Sequence, residues 1–74
     1  MSTTPAVADV VSNVWKLLTE RGAQVRQGDV LAVLESMKME IPVHAPVGGR
    51  VVEVPVVEGQ IVQEGDTLVL IETD

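Results

Sequence analysis

Laid against itself with an offset of 37 residues, the chain places Ser12–Ser36 opposite Gly49–Thr73, and its punctuation falls into register. Val14 meets Val51, Gly22 meets Gly59, Val25 meets Val62, Gly28-Asp29 meets Gly65-Asp66, Leu31 meets Leu68 and Glu35 meets Glu72. The matched positions are turn glycines and apolar anchors, so what repeats is architecture rather than a binding motif. Each half reads as a strand (Asn13–Leu18 or Arg50–Val56), a glycine turn, a short extended piece, a Gly-Asp turn and an apolar strand, DVLAVLE or DTLVLIE. Two copies are too few for a solenoid. They predict instead a domain with internal pseudo-twofold symmetry in which each half buries the apolar face of the other.

Composition fixes the class of that domain. Hydrophobic residues make up 46% of the chain, yet there is one tryptophan and no phenylalanine or tyrosine, so valine carries the core. Stiff β-branched side chains suit a pleated sheet better than a helix, and the expected class is all-β. At 74 residues there is room for one small domain. The polar start, residues 1–5, reads as a flexible tail, with the domain over 6–74.

Charge and residue usage then exclude several functions. A formal net charge of -6 is the wrong sign for nucleic-acid phosphates and for anionic membrane surfaces. With no cysteine there is no disulfide, thiolate metal site or thiol nucleophile. No apolar stretch approaches the roughly 18 residues of a membrane helix, and MSTTPAVADV lacks the pattern of a secretory leader. A cytoplasmic location is expected. Met1 followed by a short polar stretch, with no Ala/Pro-rich linker, suggests a free-standing protein. His44 is the only histidine, which leaves a histidine metal site or a catalytic triad without partners. No DxDxDG-type calcium loop occurs, and PVGGR at 46–50 opens onto a strand, as a turn rather than a phosphate cradle. Trp15 is expected to fill core volume or cover a barrel edge, the alternative being an exposed indole that marks a docking surface.

The segment between the halves, SMKMEIPVHAPVGG, is where function is expected. Ser36-Met37-Lys38-Met39 has the length of a tight hairpin turn, which places Lys38 at the tip. By the pseudosymmetry the equivalent place in the second half is the C-terminal ETD. A lysine that acts alone as a nucleophile needs desolvation or a cationic neighbour, and Lys38 has neither in the sequence around it. It is suited to modification by an enzyme that supplies the deprotonation itself. The plain alternative is a solvated turn lysine between two methionines packed on the barrel rim.

ESMKME, with Gly-Asp turns on both sides, resembles the attachment site of biotinyl domains, as found in biotin carboxyl carrier proteins and biotin-dependent carboxylases. The resemblance runs from about Ala6 to Glu72 and includes EGQIVQEGDTLVLIE in the second half. It implies a flattened antiparallel barrel or sandwich of two four-stranded sheets related by a pseudo-twofold axis, with the lysine on a type I′-like turn. It implies that a biotin protein ligase joins biotin to the Lys38 Nζ as an amide, which by removal of one positive charge takes the net charge from -6 to -7. The chain is then a carrier and not an enzyme. It shuttles carboxybiotin between a biotin carboxylase and a carboxyltransferase, and tethering replaces bimolecular encounters by a high effective concentration.

The same resemblance makes Met37 and Met39 ligase-recognition neighbours, with soft side chains adaptable to more than one surface, and gives Glu35 the acidic position that helps the ligase choose the lysine. Lipoyl carriers share the fold and the lysine position, but their flanks usually read Asp-Lys-Ala. An unmodified barrel-sandwich module used for protein contacts is a third reading. Two departures from the family pattern stand out. ADVVSNV replaces the usual Pro-Met-Pro-Gly-like turn, so that Ser12-Asn13 is expected to supply it, and no protruding thumb is present.

Overall fold

Eight strands and no helix make up the computed structural model, which describes residues 2–73. They are β1 (Ser2–Val7), β2 (Ser12–Leu17), β3 (Gln24–Val25), β4 (Val30–Ser36), β5 (Met39–His44), β6 (Gly49–Glu53), β7 (Ile61–Val62) and β8 (Thr67–Thr73). They form two four-stranded antiparallel sheets, ordered β1-β8-β6-β3 and β5-β4-β2-β7. The barrel is elongated, with extents of 37 × 17 × 17 Å.

Each strand of β5–β8 begins 37 positions after its counterpart in β1–β4: Met39 after Ser2, Gly49 after Ser12, Ile61 after Gln24 and Thr67 after Val30. The repeat is therefore longer than the turn glycines reveal, and it includes the N-terminal segment. The expected loose tail over residues 1–5 does not hold for Ser2–Pro5. These residues pair with β8 from Ser2↔Thr73 to Pro5↔Leu70, since without β1 the hydrogen-bonding edge of β8 would be left open. Met1 lies outside the described residues. Pro5 in β1 and its counterpart Pro42 in β5 both sit on outermost strands, where a missing N–H breaks no ladder and discourages edge-to-edge association.

The halves interleave rather than stack. Each sheet takes two strands from either half, because β3 crosses to pair with β6, β7 with β2, and β1 with β8. The connecting bonds repeat with the symmetry. Gly22 N donates to Val51 O at 2.7 Å, and Gly59 N donates to Val14 O at 2.7 Å. Ala45 N donates to Asp29 O at 2.7 Å where Ala8 N donates to Asp66 O at 3.0 Å. In the two Gly-Asp turns the carboxylates accept from Arg26 N at 2.9 Å and from Gln63 N at 2.8 Å. Gly28 and Gly65 adopt φ of 93° and 88°, which a side chain would strain.

Between the sheets lie Val14, Leu31, Leu34, Val51, Val62, Leu68, Val69 and Ile71, each fully buried. Most are symmetry pairs, Val14 with Val51, Leu31 with Leu68 and Leu34 with Ile71. At about 1.5–3 kcal/mol for each such side chain, this layer is the main favourable term. Trp15 is not in it. In β2 the inward positions are Ser12 and Val14, so strand alternation sends Trp15 to the outer face, at the point where β2 slips register against β4 between Val14 and Lys16. The indole is 42% exposed, with Lys16 Nζ 5.5 Å from the ring centroid.

Candidate functional site: a lysine on a left-handed hairpin turn

Strands β4 and β5 pair through Leu34↔Ile41, Glu35↔Glu40 and Ser36↔Met39, leaving Met37 and Lys38 as a two-residue turn. Both have positive φ, 51° and 67°, the only non-glycine residues among those described that do. Left-handed backbone at both central positions is the type I′ arrangement, whose twist matches that of the strands. Its preferred residues are Asn-Gly. For Met and Lys the conformation costs on the order of 1–2 kcal/mol each. A turn that strains both residues keeps those side chains for some reason other than stability. Replacing both, Met37→Asn with Lys38→Gly, is expected to raise stability by about 1–2 kcal/mol and the melting temperature by several degrees. Thermal unfolding followed by circular dichroism checks it.

The strain sets up an exposed display. Met37 is 92% exposed, Met39 is 65% exposed, and Lys38 between them is exposed as well. Among the described residues the one ion pair is Arg50–Glu72 at 3.6 Å, so no carboxylate ties down the Lys38 ammonium. Ser36 Oγ donates to Val11 O at 3.2 Å and fastens the base of the hairpin to the 8–11 loop. Ser12 Oγ in turn donates to Val10 O at 2.9 Å. Ser12 thus helps shape the connection that replaces the family's usual turn. Asn13 instead faces the second half, where its side-chain amide, oriented so that its nitrogen donates, reaches Gly59 O and Gln60 O at 2.9 and 3.2 Å.

The pseudo-twofold exchanges this tip with the paired chain ends, where Ser2 meets Thr73 as Ser36 meets Met39. Comparing the two places isolates what belongs to the site. Glu72 faces Thr3 on one side and Arg50 on the other. Its counterpart Glu35 faces Glu40 and Asn13. Two exposed carboxylates directly opposite each other are unfavourable within a sheet, yet they occur beside the lysine and not at the symmetry-related position. Met37, Met39 and Glu35, singled out by sequence, are all brought to the tip. Glu40 gains its place through the register, which the two-residue turn makes legible.

The described residues thus form a two-sheet sandwich with one exposed lysine at the tip of its β4–β5 hairpin. Comparison with known proteins makes the class specific. The biotin-lipoyl family, described as "Biotin-requiring enzyme", matches residues 2–71. The chain is 47% identical over 64 residues to the "Biotinylated protein TB7.3 homolog" of Mycobacterium leprae, covering 86% of this chain and 90% of that one. It is 48% identical over 59 residues to the "Biotin/lipoyl attachment protein" of Bacillus subtilis, covering 80% and 81%. In structure it superposes on a single-chain, multi-domain long-chain acyl-CoA carboxylase with a TM-score of 0.87 and 36% identity, covering 97% of this chain and 7% of that one. The chain belongs to the biotin/lipoyl attachment family, as a small carrier domain of the biotinyl kind.

Proposed function

We propose that Lys38 is the residue to which biotin is joined, and that the loaded domain carries a carboxyl group between the active sites of a biotin-dependent carboxylase. The observation that carries this reading is the turn itself: Met37 and Lys38 are held left-handed and exposed at a position where Asn-Gly would cost less. The residues fit the group, because an amide to Nζ needs an accessible amine on a stem clear of the barrel, and Lys38 supplies one without an ion pair to break. Biotin, when bound, supplies a ureido ring able to accept and release a carboxyl group.

The chain's own part is mechanical. Ser36 and the β4–β5 ladder fix where the arm is rooted, and the interleaved core keeps that root rigid. The exposed lysine stem gives the arm its reach, so each partner site meets its substrate at a high effective concentration. Met37 and Met39 offer adaptable apolar contact to the biotin protein ligase. Glu35, with Glu40 opposite, offers it negative charge free of internal pairing. The partners are that ligase, a biotin carboxylase and a carboxyltransferase, in keeping with the carboxylase that contains a domain of this fold.

The Met-Lys-Met flanks favour biotin over lipoate. Incubating the apo-protein with ATP and either a biotin protein ligase and biotin, or a lipoate ligase and lipoate, separates the two. A biotinyl mass increment with the first enzyme and none with the second is expected. Lipoyl attachment alone would move the domain to lipoyl chemistry.

A further inference from the structure

Valine, leucine, isoleucine and alanine fill the core, and neither Met37 nor Met39 contributes to it. Packing therefore explains neither side chain. The two thioethers stand 92% and 65% exposed on either side of Lys38, and no cysteine elsewhere in the chain competes for oxidants. A thioether open to water is a target for two-electron oxidants.

We propose that Met37 and Met39 form a paired oxidation site, at which hydrogen peroxide converts the thioethers to sulfoxides and reversibly withdraws the hairpin from the enzyme that modifies Lys38. The inference rests on the carrier reading above. At each residue one S=O bond forms and the O–O bond of peroxide breaks; the sulfur loses two electrons, and the peroxide is reduced to water. The product replaces an adaptable apolar side chain by a polar one with a strong acceptor oxygen. A partner surface shaped for the thioether must then desolvate that oxygen without a donor to meet it. The fold is untouched because neither side chain is buried, so reduction by methionine sulfoxide reductases restores the original surface.

The test begins with the apo-protein treated with dilute hydrogen peroxide, quenched and divided. Peptide mapping is expected to find one added oxygen at each of Met37 and Met39, with the far-ultraviolet circular dichroism unchanged. Ligase-catalysed biotinylation of the oxidised sample is expected to slow by about tenfold and to recover after reductase treatment. The Met37→Leu/Met39→Leu variant, whatever its starting rate, is expected to biotinylate equally before and after peroxide. Oxidation at both sites with an unchanged rate would overturn the proposal, as would an equal loss in the leucine variant or failure of either thioether to oxidise. If the untreated protein accepts no biotin, the carrier reading fails and this inference falls with it, an outcome distinct from all the others.

Discussion

Lys38→Arg is expected to abolish biotin attachment while leaving the fold intact. Arginine keeps the positive charge and a long stem on the same exposed turn, so the change tests the amine and not the electrostatics. The guanidinium stays protonated, so it gives the ligase no free amine to acylate. No core contact or ion pair among the described residues involves Lys38, and the stability change should stay within about 0.5 kcal/mol. Biotin incorporation with ligase, followed by mass and by streptavidin capture, should fall to background as the melting curve overlays the parent's. Undiminished incorporation would mean that another lysine is the acceptor, and Lys16, beside Trp15, is the other lysine in the chain.

Gly49→Ala is expected to do the reverse, damaging stability and sparing the chemistry. A Cβ at Gly49 would collide with the Glu72 carbonyl oxygen of β8 and would lie 3.0 Å from Ile71 Cγ2 and 3.1 Å from the Glu72 carbonyl carbon. Most of those obstacles are backbone, which cannot rotate away as a flexible side chain can. Relief requires β6 to move off β8, against pairs that include Arg50↔Glu72 and Val51↔Ile71. A cost of about 3 kcal/mol is expected, which is a large share of the few kcal/mol that hold so small a domain. The melting temperature should fall by roughly 15 °C. The hairpin belongs to the other sheet, so at low temperature, where the variant is folded, biotinylation should proceed near the parent's rate. The symmetry counterpart of Gly49 is Ser12, which has a side chain, is 5% exposed and donates to Val10 O. The steric demand therefore belongs to one sheet and not to the repeat.

Much of this was legible in the sequence, and the rest was hidden for identifiable reasons. The offset of 37 and the Gly-Asp turns lay out β2–β4 and β6–β8, and the four-residue span Ser36–Met39 places Lys38 at a hairpin tip. Strand β1 was missed because STTPAV has no alternation of apolar and polar residues, and it becomes a strand by pairing with β8. A signal was present in the matches Pro5–Pro42 and Ala8–Ala45, which extend the same offset towards the N-terminus. Of the places open to Trp15 the core is the one the structure rules out, and the signal was present, because with Val14 turned inward strand alternation puts residue 15 outside. The opposed Glu35 and Glu40 follow from the register, whereas the contrast with the Arg50–Glu72 pair needed the three-dimensional symmetry.

The arrangement also separates the elements that hold the fold from the proposed attachment site. Core pairs, crossing strands and Gly-Asp turns repeat in both halves, so they serve the fold. The Met-Lys-Met turn with its unpaired acidic neighbours departs from the symmetry, and that departure supports the proposed attachment site.

The most direct measurement is the intact mass of the protein isolated from its native host, with peptide mapping across residues 34–43. The account predicts a single biotinyl increment, carried by Lys38. A lipoyl increment at Lys38, or an unmodified lysine in cells whose ligase biotinylates other proteins, would contradict it.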